Sequence, residues 1–199
     1  VVTPSISVSI ESEEKAVSKR ILTATITFCV ALIALFMTPA MADDAQTVKA
    51  FSSWQGRGQI FETGPNRMTF VGAFSGMIYI ETQKGPLDAG YMICPAYVDV
   101  NVTDGTQEAK GRCTISAKDG ARVYADIACK GVHMVGCEGE FTFTGGTERF
   151  EGITGGGPVT IRSALQDLAA GGGNTVQESA SGIIYWPKLT YKLKQPAAQ

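Results

Sequence analysis

The sequence predicts an all-β domain, an eight-stranded antiparallel barrel closed on itself, with one short helix. Three observations predict it. Apolar and polar residues alternate with a period of two over much of residues 43–199, as in strands with one face on a core. Glycine and Asp-Gly punctuation cuts that stretch into eight runs joined by hairpin-length links. Between Phe141 and Gly155, an alternating run with Phe141 and Phe143 on one face breaks at Gly145-Gly146 and returns through Arg149-Phe150-Glu151-Gly152-Ile153. Paired glycines supply the positive φ that a sharp corner needs.

In chain order, the expected strands are residues 51–61, 67–81, 91–103, 106–117, 121–130, 137–144, 158–162 and 182–193. In the third, Val98, Val100 and Val102 oppose Asp99, Asn101 and Thr103. In the fifth, Val123, Ala125, Ile127 and Cys129 oppose Arg122, Tyr124 and Asp126. The second is apolar on both faces, with Gly72 and Gly76 as bends that suit a small barrel. Ser163-Ala-Leu-Gln166 has capping-box spacing, so a short helix is expected over 164–170, ended by Gly171-Gly-Gly173. Residues 171–181 then read as a loop. Short strands in meandering order fit a closed barrel or a two-sheet sandwich, and the glycine corners favour closure.

Residues 1–42 read as a signal peptide. Lys15, Lys19 and Arg20 precede the charge-free apolar run 21–37, and Ala40-Met41-Ala42 offers a cleavage site after Ala42. An uncleaved anchor is the rival, although the run is shorter than the ~20 residues that span a bilayer. The expectation is export to a periplasm or the exterior, with residues 43–199 as one domain and no membrane association after cleavage. The formal net charge of −2 and the lack of a basic run argue against nucleic acid.

Cys94, Cys113, Cys129 and Cys137 form no C-x-x-C pair, so disulfides are favoured over a metal and no metal site is expected. A two-residue Asp104-Gly105 turn would pair Thr103 with Thr106, placing Cys94 one diagonal step from Cys113. A loop from Gly131 to Gly136 would set Cys129 directly opposite Cys137. Cys94–Cys113 and Cys129–Cys137 are the expected bridges, and Cys113–Cys129 fits worse.

The segment Gly145-Gly-Thr-Glu-Arg-Phe-Glu-Gly-Ile-Thr-Gly155 resembles the G-G-T-G-R-F-x-G-x-x-G block of allene oxide cyclase-like and dirigent-like barrels. Trp54-Gln-Gly-Arg-Gly58 and Phe70-Val-Gly-Ala-Phe-Ser-Gly76 are similar to the opening strands of bacterial members. Glu148 replaces the usual glycine. The resemblance implies a calycin-like, allene oxide cyclase-like barrel with an apolar interior and, where members are enzymes, cofactor-free cyclase or isomerase chemistry. No catalytic residue is carried over from it.

His133, the single histidine, lies between glycines and is either a general base or a rim residue, with the rim favoured. No G-x-S-x-G elbow and no G-K-[ST] loop accompanies it. Glu138 and Glu140 share a strand face that reads as solvent-facing. Arg57, Arg122 and Arg162 lie within strands, where an inward arginine would mark a site. The residues expected to line a ligand space are Trp54, Tyr79, Tyr97, Phe141, Phe143 and Trp186, large side chains that also serve as ordinary core. The leading expectation is an exported barrel that binds a small, largely apolar molecule without a cofactor. A cofactor-free cyclase or isomerase and a scaffold for protein partners are the alternatives.

Overall fold

The computed structural model describes residues 45–81, 88–172 and 175–194. The signal-peptide expectation lies outside the described residues. Eight strands form the domain: β1 (Gln46–Gly64), β2 (Arg67–Glu81), β3 (Asp88–Asn101), β4 (Thr106–Ala117), β5 (Arg122–Val132), β6 (Gly136–Gly146), β7 (Thr154–Ala170) and β8 (Val176–Lys192). Each pairs antiparallel with the next, and β1 pairs with β8, so the barrel closes in sequence order. Closure leaves no unpaired edge.

The helix expected over 164–170 is instead the second half of β7. Ser163 pairs with Gly182, but Leu165 pairs with Ser181, so Ala164 is a bulge. The extra residue breaks the period-two pattern and produces the spacing that mimics a helix. It also changes which side chains point inward, from Ile161 and Ser163 before it to Gln166 after it. The loop expected over 171–181 is shorter, because β8 already begins at Val176.

Both expected disulfides are present, and their geometries are exchanged. Residues 102–105 form a longer turn than expected, with Gly105 N–H donating to Asn101 O and the Asp104 carboxylate accepting from Thr106 N–H. The β3–β4 register therefore shifts by two residues, and Cys94 lies directly opposite Cys113, with Cα atoms 4.1 Å apart. In β5–β6, Cys129 pairs with Gly139 and Gly131 with Cys137, so that bridge runs diagonally, with Cα atoms 5.5 Å apart. A two-residue slip keeps every side chain on its face, which is why the pairings survive the change of register.

At the corner after β6, Glu148 opens a single-turn 3-10 helix, Glu148–Phe150, with φ 53°. That φ lies in the left-handed region that favours glycine, the residue that the resembling block carries at this position. Arg149 covers the Phe150 ring at 4.5 Å and pairs with Asp119 at 3.1 Å.

The interior is layered. A middle layer of Ser52, Met92, Cys113, Phe141, Val159 and Trp186 is almost fully buried. Phe141 meets Trp186 edge-on at 5.4 Å. This layer separates two chambers that share no lining residue.

Candidate functional site

The chamber toward the 102–105 and 133–135 turns is walled by Trp54, Phe70, Phe74, Ile127, Ile161 and Ile184, and has a volume of about 90 Å³. Two glycines on β1 shape one wall. The Phe74 ring lies across Gly56 and the Phe70 ring across Gly58, each at 2.5 Å from where a Cβ would stand. The rings lie flat against the strand because no side chain is there to lift them. Gly56→Ala would push the Phe74 ring toward the chamber. We expect it to weaken occupancy by a small molecule at least tenfold while costing about 1–3 kcal/mol of stability, checked by titration and thermal melting of the same sample.

One buried charged residue sits in this apolar wall. Glu178 on β8 is 8 % exposed and is the only buried charged residue among the described residues. Its Oε1 accepts from Gln166 Nε2, the side chain that the Ala164 bulge turns inward. Its Oε2 is buried with no partner. Burial raises its pKa, and the Gln166 bond opposes that rise in part. The lining includes a single lysine, Lys110, which stands exposed on the outward face of β4.

His133 lies on the same chamber. Gln107 Nε2 donates to Gly136 O at 3.4 Å, which turns the amide oxygen toward His133 Nδ1 at 3.2 Å. An oxygen acceptor there requires the proton on Nδ1 and leaves Nε2 with a free lone pair. Burial lowers the His133 pKa. The loop is fixed by His133 N–H donating to Gly105 O and by Ser163 N–H donating to Val135 O.

The second chamber, at the opposite end, is larger at about 1230 Å³. Ile78, Ile115, Val123, Phe143 and Leu189 line it, with Asp88, Lys118, Asp119 and Arg149 among its polar residues. None of those four is buried. The smaller chamber is the better candidate because a buried carboxyl with an unpaired oxygen faces apolar surroundings there.

The expected lining residues divide accordingly. Trp54 lines the smaller chamber, Phe143 the larger, and Phe141 and Trp186 belong to the layer between them. Tyr79 and Tyr97 stand on the outer face, because Ile78 and Val98 take the inward positions beside them. Tyr79 stacks on Phe51 at 5.2 Å, and Tyr97 is 41 % exposed. Arg57 and Arg122 point outward, and Arg162 pairs with Glu138 at 2.8 Å on the surface. Neither Glu178 nor Gln166 is among the site residues that the sequence suggests. One falls in the run read as a loop and the other in the run read as a helix.

Because burial raises the Glu178 pKa, the folded state holds this proton more tightly than the unfolded chain. The shift therefore costs no stability below the unfolded carboxyl pKa of about 4.3, and stability is lost as pH rises from there through the folded value. Glu178→Gln stays neutral at every pH, so it should equal the wild type in stability at acid pH and be the more stable of the two at pH 8, the sign that a raised pKa requires. Urea unfolding at the two pH values checks this, and an equal gap at both would contradict it.

No protein-family model and no curated protein matches the chain. Several solved structures are similar to it, among them the following two. One, described as a pyocyanin demethylase, is 13 % identical with a TM-score of 0.36, and the match covers 69 % of this chain and 98 % of that one. The other, the pterocarpan synthase dirigent protein GePTS1, is 10 % identical with a TM-score of 0.36, and the match covers 78 % of this chain and 90 % of that one.

Proposed function

We propose that the barrel binds a small, largely apolar molecule in the chamber walled by Trp54, Phe70 and Phe74, with Glu178 as its one buried polar anchor. The observation that carries this reading is the unpaired Glu178 Oε2 in an apolar wall. Leaving such a group unpaired costs about 1–3 kcal/mol, and a ligand with one polar atom would recover part of that. Specific small-molecule sites share this pattern of apolar walls and few polar groups. The volume of about 90 Å³ suits a molecule of a few heavy atoms, or one part of a longer molecule.

A cofactor-free cyclase or isomerase is the second reading, and Glu178 also favours it, since a buried carboxyl whose pKa is raised by desolvation is better suited to hold and donate a proton than an exposed one. We place the chain with the allene oxide cyclase-like barrels on its glycine block, supported by the left-handed backbone of Glu148. Two disulfides are consistent with an oxidising, exported environment. We propose export, no role for nucleic acid and no membrane association of residues 43–199.

Native mass spectrometry of protein purified from its source tests the binding reading. A co-purifying small molecule, lost on substitution of Glu178 by Leu, is the expected result. Barrels that are empty in repeated preparations would count against it.

A further inference from the structure

We propose that Glu178 and His133 act as an acid–base pair that moves a proton within a small enolisable carbonyl compound. Glu178 donates to the carbonyl oxygen, and His133 removes a proton from the adjacent carbon. This assignment rests on the small-molecule reading of the same chamber and names its substrate class.

The geometry points to complementary protonation states. Both groups line one apolar space, and a glutamine orients each. Gln166 occupies Oε1 of Glu178 and leaves Oε2 as the position for a proton. Gln107, itself oriented by the Gly136 carbonyl, holds the proton of His133 on Nδ1 and leaves the Nε2 lone pair free. An ionised Glu178 would need a cation, and the only lysine of the lining faces outward. Burial favours the neutral form of both groups, and environments that separate an acid from a base in this way assign their roles.

For a β,γ-unsaturated ketone the step balances without a co-reactant. His133 Nε2 takes the α-proton, and the C–H electron pair becomes the C=C bond of a dienol. The carbonyl π pair takes the Glu178 proton, leaving a carboxylate and an imidazolium. The imidazolium then delivers its proton to the γ-carbon, and the enol O–H proton returns to Glu178. The product is the conjugated enone, and both side chains regain their starting states.

Cyclohex-3-en-1-one is small enough to serve as a probe, and its conversion to the conjugated isomer is followed by ultraviolet absorbance. The wild type should accelerate the conversion at least ~100-fold over buffer. Glu178→Gln and His133→Gln should each lower kcat by about 10²–10⁴-fold, with KM changed by less than about threefold. Thermal melts show whether each variant is folded. Binding of the probe, read from tryptophan fluorescence, is measured separately. If the probe binds but is isomerised no faster than in buffer, or if either variant keeps the wild-type kcat, the acid–base assignment is overturned while the binding reading stands. If the probe does not bind at all, the binding reading falls and the assignment with it.

Discussion

Trp186→Ala should lower stability by about 3–5 kcal/mol, the usual cost of truncating a fully buried tryptophan. Trp186 has no exposed surface and packs edge-on against Phe141, which is equally buried. It belongs to the layer that separates the two chambers, so its removal leaves a void that the walls cannot close without moving β6 or β8. For a domain of this size that loss corresponds to a fall in Tm of roughly 6–20 °C. Trp186→Phe keeps most of the volume and should cost much less. It also removes the buried Nε1 that has no acceptor. Thermal and urea unfolding of both variants check the ordering. A Trp186→Ala variant within 1 kcal/mol of the wild type would mean that the layer is not tightly packed.

Removing the Cys94–Cys113 bridge comes second. The double substitution Cys94→Ala and Cys113→Ala should cost about 3 kcal/mol on the chain-entropy account of a loop of this length. The cysteines are 19 residues apart in sequence, against 8 for Cys129 and Cys137. Both cysteines of the longer loop are buried in the main core, and alanine avoids burying a hydroxyl there. The matching double substitution at Cys129 and Cys137 opens a shorter loop and should cost less. Denaturant midpoints of the two double variants under identical conditions decide the order. The reverse order would show that local strain or packing, rather than loop length, sets the contribution of each bridge.

The sequence made some parts of this molecule legible and hid others, for identifiable reasons. β2 and β4 have the expected limits, because the apolar runs of both end at Glu81 and Ala117 and the sequence beyond them is polar or glycine-rich. The cysteine pairings were readable because a hairpin slip of two residues preserves side-chain parity, even though Cys94–Cys113 is direct and Cys129–Cys137 diagonal. The β7 bulge was not readable. One extra residue at Ala164 breaks the alternation, and Ala164, Leu165 and Gln166 are all good helix formers. That misreading hid the candidate site, since the bulge turns Gln166 inward onto Glu178. His133 was visible as a lone histidine between glycines. Its orientation depends on Gln107, 26 residues earlier in the chain, a relation that no local pattern carries. Tyr79 and Tyr97 read as lining because aromatic residues suit either face of a strand, and only the register places Ile78 and Val98 inward beside them.

Binding in the small chamber is tested most directly by a fluorescence titration. The chain has two tryptophans; Trp54 lines that chamber, and Trp186 belongs to the layer beneath it. In a Trp186→Phe background, emission comes from Trp54 alone. Titration with cyclohexanone should produce a saturable change in that emission. The change should be at least tenfold weaker with methylcyclohexane, which has no acceptor for Glu178, and at least tenfold weaker for cyclohexanone when Gly56→Ala is added. No saturable change with the ketone, or equal affinity for the ketone and the hydrocarbon, would contradict a chamber anchored by Glu178.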